Sequence, residues 1–127
     1  MRAAVTGSSG FVGSHLVPYL RSHGDDVVTI DRTGTQPVDV TDAAEVREVL
    51  RATRPEAVYH LAALSHVGQS WDAPEAVFRI NAVGALNVLR GMALPPFWTV
   101  RALVGAPAAF IPPLRNLYAH LFLQDRT

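Results

Sequence analysis

The apolar positions of the first twenty residues predict a strand followed by a helix. Residues 3–5 form an apolar run that is too short for a helix and suits a buried strand. Apolar residues then recur at helical spacing across residues 11–20. Between the two lies a turn with evenly spaced glycines, namely Gly7, Gly10 and Gly13. The pattern predicts a strand, a glycine turn and a helix over about residues 10–22.

The strand and helix patterns alternate along the chain as far as residue 91, and one more strand and one more helix are predicted after it. Further strands are predicted at residues 26–30, 38–40, 56–61 and 100–104. Further helices are predicted at residues 43–52, 74–91 and 114–123. Pro18 lies well inside the first helix, where we expect a kink or a weakened helix. Strands that alternate with helices predict an α/β fold with a parallel sheet.

Composition favours one globular domain and excludes several classes of protein. The chain has 127 residues, of which 49% are hydrophobic and 17% are charged, and its formal net charge is zero. A neutral chain gives no reason to expect a nucleic acid or an anionic membrane as partner. No apolar run is long enough to span a bilayer, and the first residues do not read as a secretory signal. The absence of cysteine fits a cytoplasmic protein, which is the localisation we expect.

The glycine turn has the chemistry of a phosphate site. A helix N-terminus offers unpaired N–H groups and the positive end of the helix dipole. A pyrophosphate can reach those amides only where side chains leave room. We expect Gly7 to allow the tight turn, Gly10 the close approach of the ligand, and Gly13 the packing of helix on strand. The spacing G-x-x-G-x-x-G differs from the G-x-G-x-x-G of many dinucleotide-binding proteins.

Three blocks of the sequence resemble one family of enzymes. Thr6-Gly-Ser-Ser-Gly-Phe-Val-Gly-Ser-His-Leu16 is similar to the opening of the extended short-chain dehydrogenase/reductases, the NAD-dependent epimerases and dehydratases. His60-Leu-Ala-Ala63 and the Asn81-x-x-Gly84-x-x-Asn87-x-Leu89 helix match the same family. The loop Ser65–Pro74 resembles more narrowly that of GDP-mannose 4,6-dehydratases and GDP-4-keto-6-deoxymannose reductases.

The resemblance implies a Rossmann-like, doubly wound parallel sheet with strand order 3-2-1-4-5. It covers about residues 1–92, which we interpret as an NAD(P)-binding domain. Residues 93–127 diverge from the family and are rich in proline. We therefore expect a fold truncated after about the fifth strand, without the family's substrate domain and with an open sheet edge through which copies could associate.

The resemblance also implies a set of binding residues. Asp31 follows the second strand, where a carboxylate can accept hydrogen bonds from the adenosine ribose of NAD. Arg32 beside it leaves NADP open as the alternative. The expected cofactor-binding residues are Gly7, Ser9, Gly10, Phe11, Val12, Gly13, Asp31, Arg32, Asp39, Val40, Leu61, Ala62, Ala63 and Ser65. Val67 and Ser70 are expected to face a nucleotide sugar, and no metal site is expected.

The catalytic pair of that family is missing from the sequence. Its hydride chemistry uses Tyr-x-x-x-Lys, in which the lysine lowers the pKa of the tyrosine. All eleven basic residues here are arginine, and Phe122 stands four positions after Tyr118. We expect Tyr118 to be a packing residue and name no catalytic residue. Three hypotheses stay open: the front part of a nucleotide-sugar enzyme, a non-catalytic dinucleotide-binding module, and a gene remnant that does not fold stably.

Overall fold

A parallel sheet of three strands organises the part of the chain that is described. The computed structural model describes residues 1–33, 37–65 and 67–92. Within them β1 (Arg2–Thr6) lies between β2 (Asp26–Ile30) and β3 (Ala57–His60), and both pairings are parallel. This order confirms the 2-1-4 part of the predicted sheet. The predicted strand at 100–104, the helix at 114–123 and Tyr118 lie outside the described residues.

Helices cover both faces of the sheet, as a doubly wound fold requires. The alternation along β1 sends Ala3 and Val5 to one face, where α1 (Phe11–Ser22) covers them, and Ala4 to the other. That second face packs against α2 (Ala43–Thr53) and against a later helix described below. None of the helices in the described ranges has both the length and the apolar character that a bilayer crossing needs.

The ends of α1 and α2 follow the chemistry of their boundary residues. The Asp42 side chain accepts the N–H groups of Ala44 at 2.8 Å and Glu45 at 3.1 Å and so caps α2. Gly24 follows α1 with a φ of +86°, which suits a glycine after a helix. α1 continues through Pro18, so this residue does not end the helix.

The predicted strand at residues 38–40 was wrong. Val38 and Val40 are buried, but no strand forms there. The N–H of Val38 donates to the Asp31 carbonyl at 2.8 Å, and the N–H of Asp39 donates to the Glu45 side chain at 2.9 Å. Because these donors are used in turn contacts, the segment cannot form a ladder with β2. Buried valines at alternate positions therefore indicated burial and not a strand.

Two helical segments differ from the sequence prediction. The expected loop Ser65–Pro74 contains a short helix, α3 (Val67–Asp72). The expected long helix at 74–91 is divided into α4 (Pro74–Phe78), a π-helical turn (Arg79–Gly84) and α5 (Ala85–Met92). Helical periodicity predicts this stretch but cannot show the π turn, which widens the helix by one residue.

A buried threonine joins the carboxyl ends of β1 and β3. The Thr6 hydroxyl oxygen accepts N–H bonds from Leu61 at 3.1 Å and Ala62 at 3.2 Å. Its own hydrogen is then directed to Nδ1 of His60, 2.7 Å away, so His60 carries its proton on Nε2. Burial lowers the pKa of His60 below its ordinary value. The network fixes where the chain leaves β3.

The glycine turn between β1 and α1 is held by close backbone contacts. Gly7 has a φ of +66°, and a Cβ added to it would lie 2.7 Å from the Ala62 nitrogen and 2.8 Å from the Leu61 carbonyl carbon. A Cβ on Gly13 would lie 2.5 Å from the Gly7 carbonyl oxygen. Gly13 therefore packs against the turn itself and not, as the sequence suggested, against a strand.

The His60 network predicts a stability that depends on pH. The lowered pKa means that the unfolded chain takes up a proton more readily than the folded one, so stability is complete above about pH 6.5 and falls on acidification. Between about pH 7.5 and about pH 5.5 the His60→Gln variant, which can accept from Thr6 without titrating, should lose less stability than the wild type. Thermal melts of both proteins check this. Equal losses would contradict the role given to His60.

Gly7 should be far less replaceable than another glycine with positive φ. Gly7→Ala combines backbone strain with contacts to the chain after β3, and we expect a loss of more than about 2 kcal/mol in the free energy of unfolding. Gly24→Ala is the matched control, because its φ is +86° but an added Cβ would meet no atom within 4 Å. That variant should lose only about 1 kcal/mol. If denaturant titrations gave equal losses of unfolding free energy, the contact of Gly7 with the chain after β3 would contribute nothing.

Candidate functional site

An open cleft lies at the carboxyl edge of the sheet, where the chain leaves all three strands. Its volume of about 210 Å³ is below that of a typical pocket for a whole cofactor, so it suits part of an extended ligand. The carboxyl edge of an open α/β sheet is where such folds bind ligands. The lining residues are Gly7, Ser9, Gly10, Ile30, Asp31, Arg32, Val38, Asp39, Val40, Leu61, Ala62, Ala63, Leu64 and Ile80.

One end of the cleft is the N-terminus of α1. The cap residue Gly10 has no side-chain cap, and within the described residues the first turn carries no acidic side chain. The Phe11 and Val12 side chains are exposed and do not line the cleft. Ser14 is the first residue of the helix whose N–H bonds back to Gly10, at 2.9 Å. The Gly10 N–H donates to the Gly7 carbonyl at 3.1 Å, so the amides available to an anion are those of Phe11, Val12 and Gly13, and the helix dipole favours an anion there.

Asp31 faces that turn from the end of β2. One carboxylate oxygen accepts the Ser9 N–H at 2.7 Å, and the other accepts the Arg32 N–H at 2.8 Å. Partial burial alone would raise the pKa of Asp31, but the hydrogen bonds from Ser9, Arg32 and Thr33 outweigh it and lower the pKa. The group is ionised at neutral pH. The Ser8 hydroxyl also donates to the carboxylate, at the long distance of 3.4 Å, so a ligand hydroxyl that binds Asp31 would replace this weak contact.

A second carboxylate shapes the adjoining wall. Asp39 accepts both the N–H and the hydroxyl of Thr41, each at 2.8 Å, and these bonds lower its pKa. Asn87 of α5, which is buried, donates to the Val40 carbonyl at 3.0 Å. A Cβ on Gly84 would lie 3.0 Å from Cγ2 of Val40. Gly84 thus lets the helix approach Val40, a loop residue, where the sequence suggested the sheet.

The opposite wall is the chain that follows β3. Leu61, Ala62, Ala63 and Leu64 line the cleft with small or apolar groups. Ala62 is held at the glycine turn by the contacts described for Gly7 and Thr6. A wall of this kind offers backbone and apolar surface to a flat ring while adding no charge. Together with Gly10 and Asp31, it places the N-cap of α1, a carboxylate and an apolar surface in one cleft.

Most of the predicted cofactor residues come together there. Those that line the cleft are Gly7, Ser9, Gly10, Asp31, Arg32, Asp39, Val40, Leu61, Ala62 and Ala63. Those that do not line it are Phe11, Val12, Gly13 and Ser65. Of these, Gly13 is buried and the other three are exposed. Val67 and Ser70 belong to α3, and their side chains lie outside what the structure describes.

Sequence reasoning missed four lining residues: Ile30, Val38, Leu64 and Ile80. Ile30 and Leu64 adjoin predicted site residues, so their neighbourhood was a usable signal. Ile80 comes from the π-helical turn, and only the fold brings it to the cleft. In the described ranges no group of three or more His, Asp or Glu side chains could hold a metal ion.

Known proteins resemble this chain in sequence. The model of the NAD dependent epimerase/dehydratase family matches residues 3–103. GDP-6-deoxy-D-talose 4-dehydrogenase of Aggregatibacter actinomycetemcomitans is 35% identical over 92 residues, which are 72% of this chain and 30% of that protein. GDP-mannose 4,6-dehydratase of Vibrio cholerae is 30% identical over 116 residues, covering 73% of this chain and 31% of the relative.

A solved structure agrees with both the fold and the sequence match. UDP-glucose 4-epimerase of Thermus thermophilus, in complex with NAD, superposes with a TM-score of 0.68 at 35% identity. The match covers 72% of this chain and 33% of the epimerase. The chain thus spans about a third of the length of these relatives. Since the family model matches well over half of its residues, the chain belongs to the NAD dependent epimerase/dehydratase family.

Proposed function

We propose that this chain binds NAD and is the dinucleotide-binding part of a nucleotide-sugar epimerase, dehydratase or reductase. The observation that carries the proposal is the cleft, which is lined by both Gly10, the N-cap residue of α1, and Asp31. The N–H groups of that turn would receive the pyrophosphate, and Asp31 would accept hydrogen bonds from the adenosine ribose. NAD bound there would supply hydride acceptance and return.

The residues fit this cofactor at each part of the cleft. A Cβ on Gly10 would have its nearest contact at 3.2 Å, with the Gly7 carbonyl oxygen, and would stand beside the amides that the phosphate needs. Asp39 and Val40 would lie along the adenine, and Leu61, Ala62 and Ala63 along the remainder of the dinucleotide. The epimerase that superposes on this chain was solved in complex with NAD, which supports NAD as the cofactor.

The charge of Asp31 favours NAD over NADP. Because its pKa is lowered, the carboxylate stays ionised and would repel a ribose 2′-phosphate. Arg32 also lines the cleft and could pair with that phosphate, which weakens the preference without reversing it. NADP is therefore the second choice of cofactor. The nucleotide sugar would meet the protein beyond Ala63, where Ser65, Val67 and Ser70 follow.

A non-catalytic dinucleotide-binding module is the second candidate function. One specific observation favours it: the 127 residues contain no lysine, so the Tyr-x-x-x-Lys pair cannot be assembled from them. Such a module would bind NAD but would transfer no hydride to a nucleotide sugar. Turnover by the purified chain would exclude this candidate while leaving NAD binding intact.

Asp31 provides the direct test of cofactor binding. We expect the wild type to bind NADH saturably, with enhanced NADH fluorescence, and to bind NADPH more weakly. Asp31→Ala should weaken NADH binding about tenfold or more, since hydrogen bonds to a charged group are lost, and should narrow the difference between the two cofactors.

Asp25→Ala is the matched control for that substitution. Asp25 pairs with the N-terminal ammonium at 2.9 Å and precedes β2, so it lies at the other end of the sheet from the cleft. Its loss should leave NADH binding unchanged. If the folded wild type does not respond to NADH at millimolar concentration, the proposed function is wrong. If the wild type binds NADH and both variants bind it equally well, the role given to Asp31 is wrong.

A further inference from the structure

Asn81 makes two hydrogen bonds that the proposed function does not yet use. Its side-chain Oδ1 accepts the N–H of Leu64 at 2.8 Å, and its Nδ2 donates to the carbonyl of the same residue at 2.9 Å. The amide therefore pairs with the backbone of Leu64 as a neighbouring strand would. This pairing joins two parts of the chain that are seventeen residues apart.

Leu64 is a wall of the cleft and has left the sheet. The chain after β3 is held by Thr6 only as far as Ala62, through the N–H bonds of Leu61 and Ala62. Leu64 lines the cleft two residues later. Without a partner from elsewhere, its backbone would exchange these hydrogen bonds for water and the wall would be free to move.

The π-helical turn brings Asn81 to this wall. Asn81 and Ile80 are consecutive residues of the turn Arg79–Gly84. Ile80 lines the cleft, while Asn81 holds Leu64 beside it. A π turn adds one residue to the helical repeat and so changes the direction of the side chains on it. Both residues therefore act on one short stretch of the cleft.

We propose that Asn81 is a positioning residue, which fixes the Leu64 wall at the distance that a bound dinucleotide needs. The inference rests on the proposed binding of NAD and assigns to Asn81 no contact with it. The wall is ordered before the ligand arrives, so binding does not have to order it. Loss of the amide should weaken the cofactor complex while the sheet and its helices remain folded.

Substitution of Asn81 tests the proposal. Asn81→Ala removes both hydrogen bonds and should weaken NADH binding about tenfold, the effect of roughly one lost hydrogen bond. Amide exchange at Leu64 should become fast, while exchange in α2 and the melting temperature stay close to those of the wild type. Arg90→Ala, an exposed position of α5, is the control and should change none of these.

Asn81→Asp distinguishes positioning from simple packing. The carboxylate can still accept the Leu64 N–H but places a second oxygen against the Leu64 carbonyl, so NADH binding should weaken at neutral pH. Because the two side chains have nearly the same shape, a role in packing alone would leave the NADH dissociation constant unchanged. A folded Asn81→Asp variant that binds NADH as tightly as the wild type would therefore overturn the proposal.

The outcomes separate this inference from the proposed function. If the wild type binds NADH and folded Asn81→Ala binds it equally well, Asn81 does not position the cleft, although NAD binding stands. If the wild type does not bind NADH, the proposed function fails, and Leu64 exchange alone tests whether Asn81 holds the Leu64 backbone. If Asn81→Ala does not fold, slow exchange of the Leu64 amide in the wild type supports this pairing and fast exchange overturns it.

Discussion

The structure depends on the close approach of two backbone segments at the carboxyl edge of the sheet. Gly7 turns with positive φ, and the chain that leaves β3 passes so near that a Cβ would lie 2.7 Å from the Ala62 nitrogen. Only glycine allows both the conformation and the contact. Thr6 completes the junction by accepting two N–H bonds from the same segment. The start of α1 and one wall of the cleft are therefore positioned by a single junction.

This junction places opposite charges at fixed positions around the cleft. The first turn of α1 offers N–H groups and the positive end of the dipole, whereas Asp31 offers an ionised carboxylate. Asp31 also accepts the Ser9 N–H at 2.7 Å and so helps to hold the turn that it faces. A ligand that carries both a pyrophosphate and ribose hydroxyls satisfies both groups. That combination describes a dinucleotide better than it describes a free phosphate or a sugar.

Local chemistry made much of the fold predictable from the sequence. The glycine spacing and the apolar run of β1 each have a short-range cause, so the strand, turn and helix could be recognised without the fold. The segment at 38–40 failed because its valines are buried in a turn whose donors bond to Asp31 and Glu45. Alternation reports burial on one side, and a strand is only one way to achieve it.

The site was predictable where it follows strand ends and not where distant elements enter it. Parallel strands end at one edge of the sheet, so the residues that follow β1, β2 and β3 could be predicted to lie close together. Ile80 and the pairing of Asn81 with Leu64 depend on how the helix after α3 crosses that edge. The motif that contains Asn81 was visible in the sequence, but its pairing with Leu64 was not. A π turn of six residues is too short to show its own period in a sequence.

The central claim is that the first turn of α1 receives the dinucleotide's pyrophosphate. An NMR titration of the labelled wild-type chain with NAD measures it directly, because each backbone amide reports on its own surroundings. The account predicts that the largest shift changes occur at the amides of Phe11, Val12 and Gly13. Changes confined to the exposed arginines at positions 47, 51 and 54, with none at the turn, would contradict it.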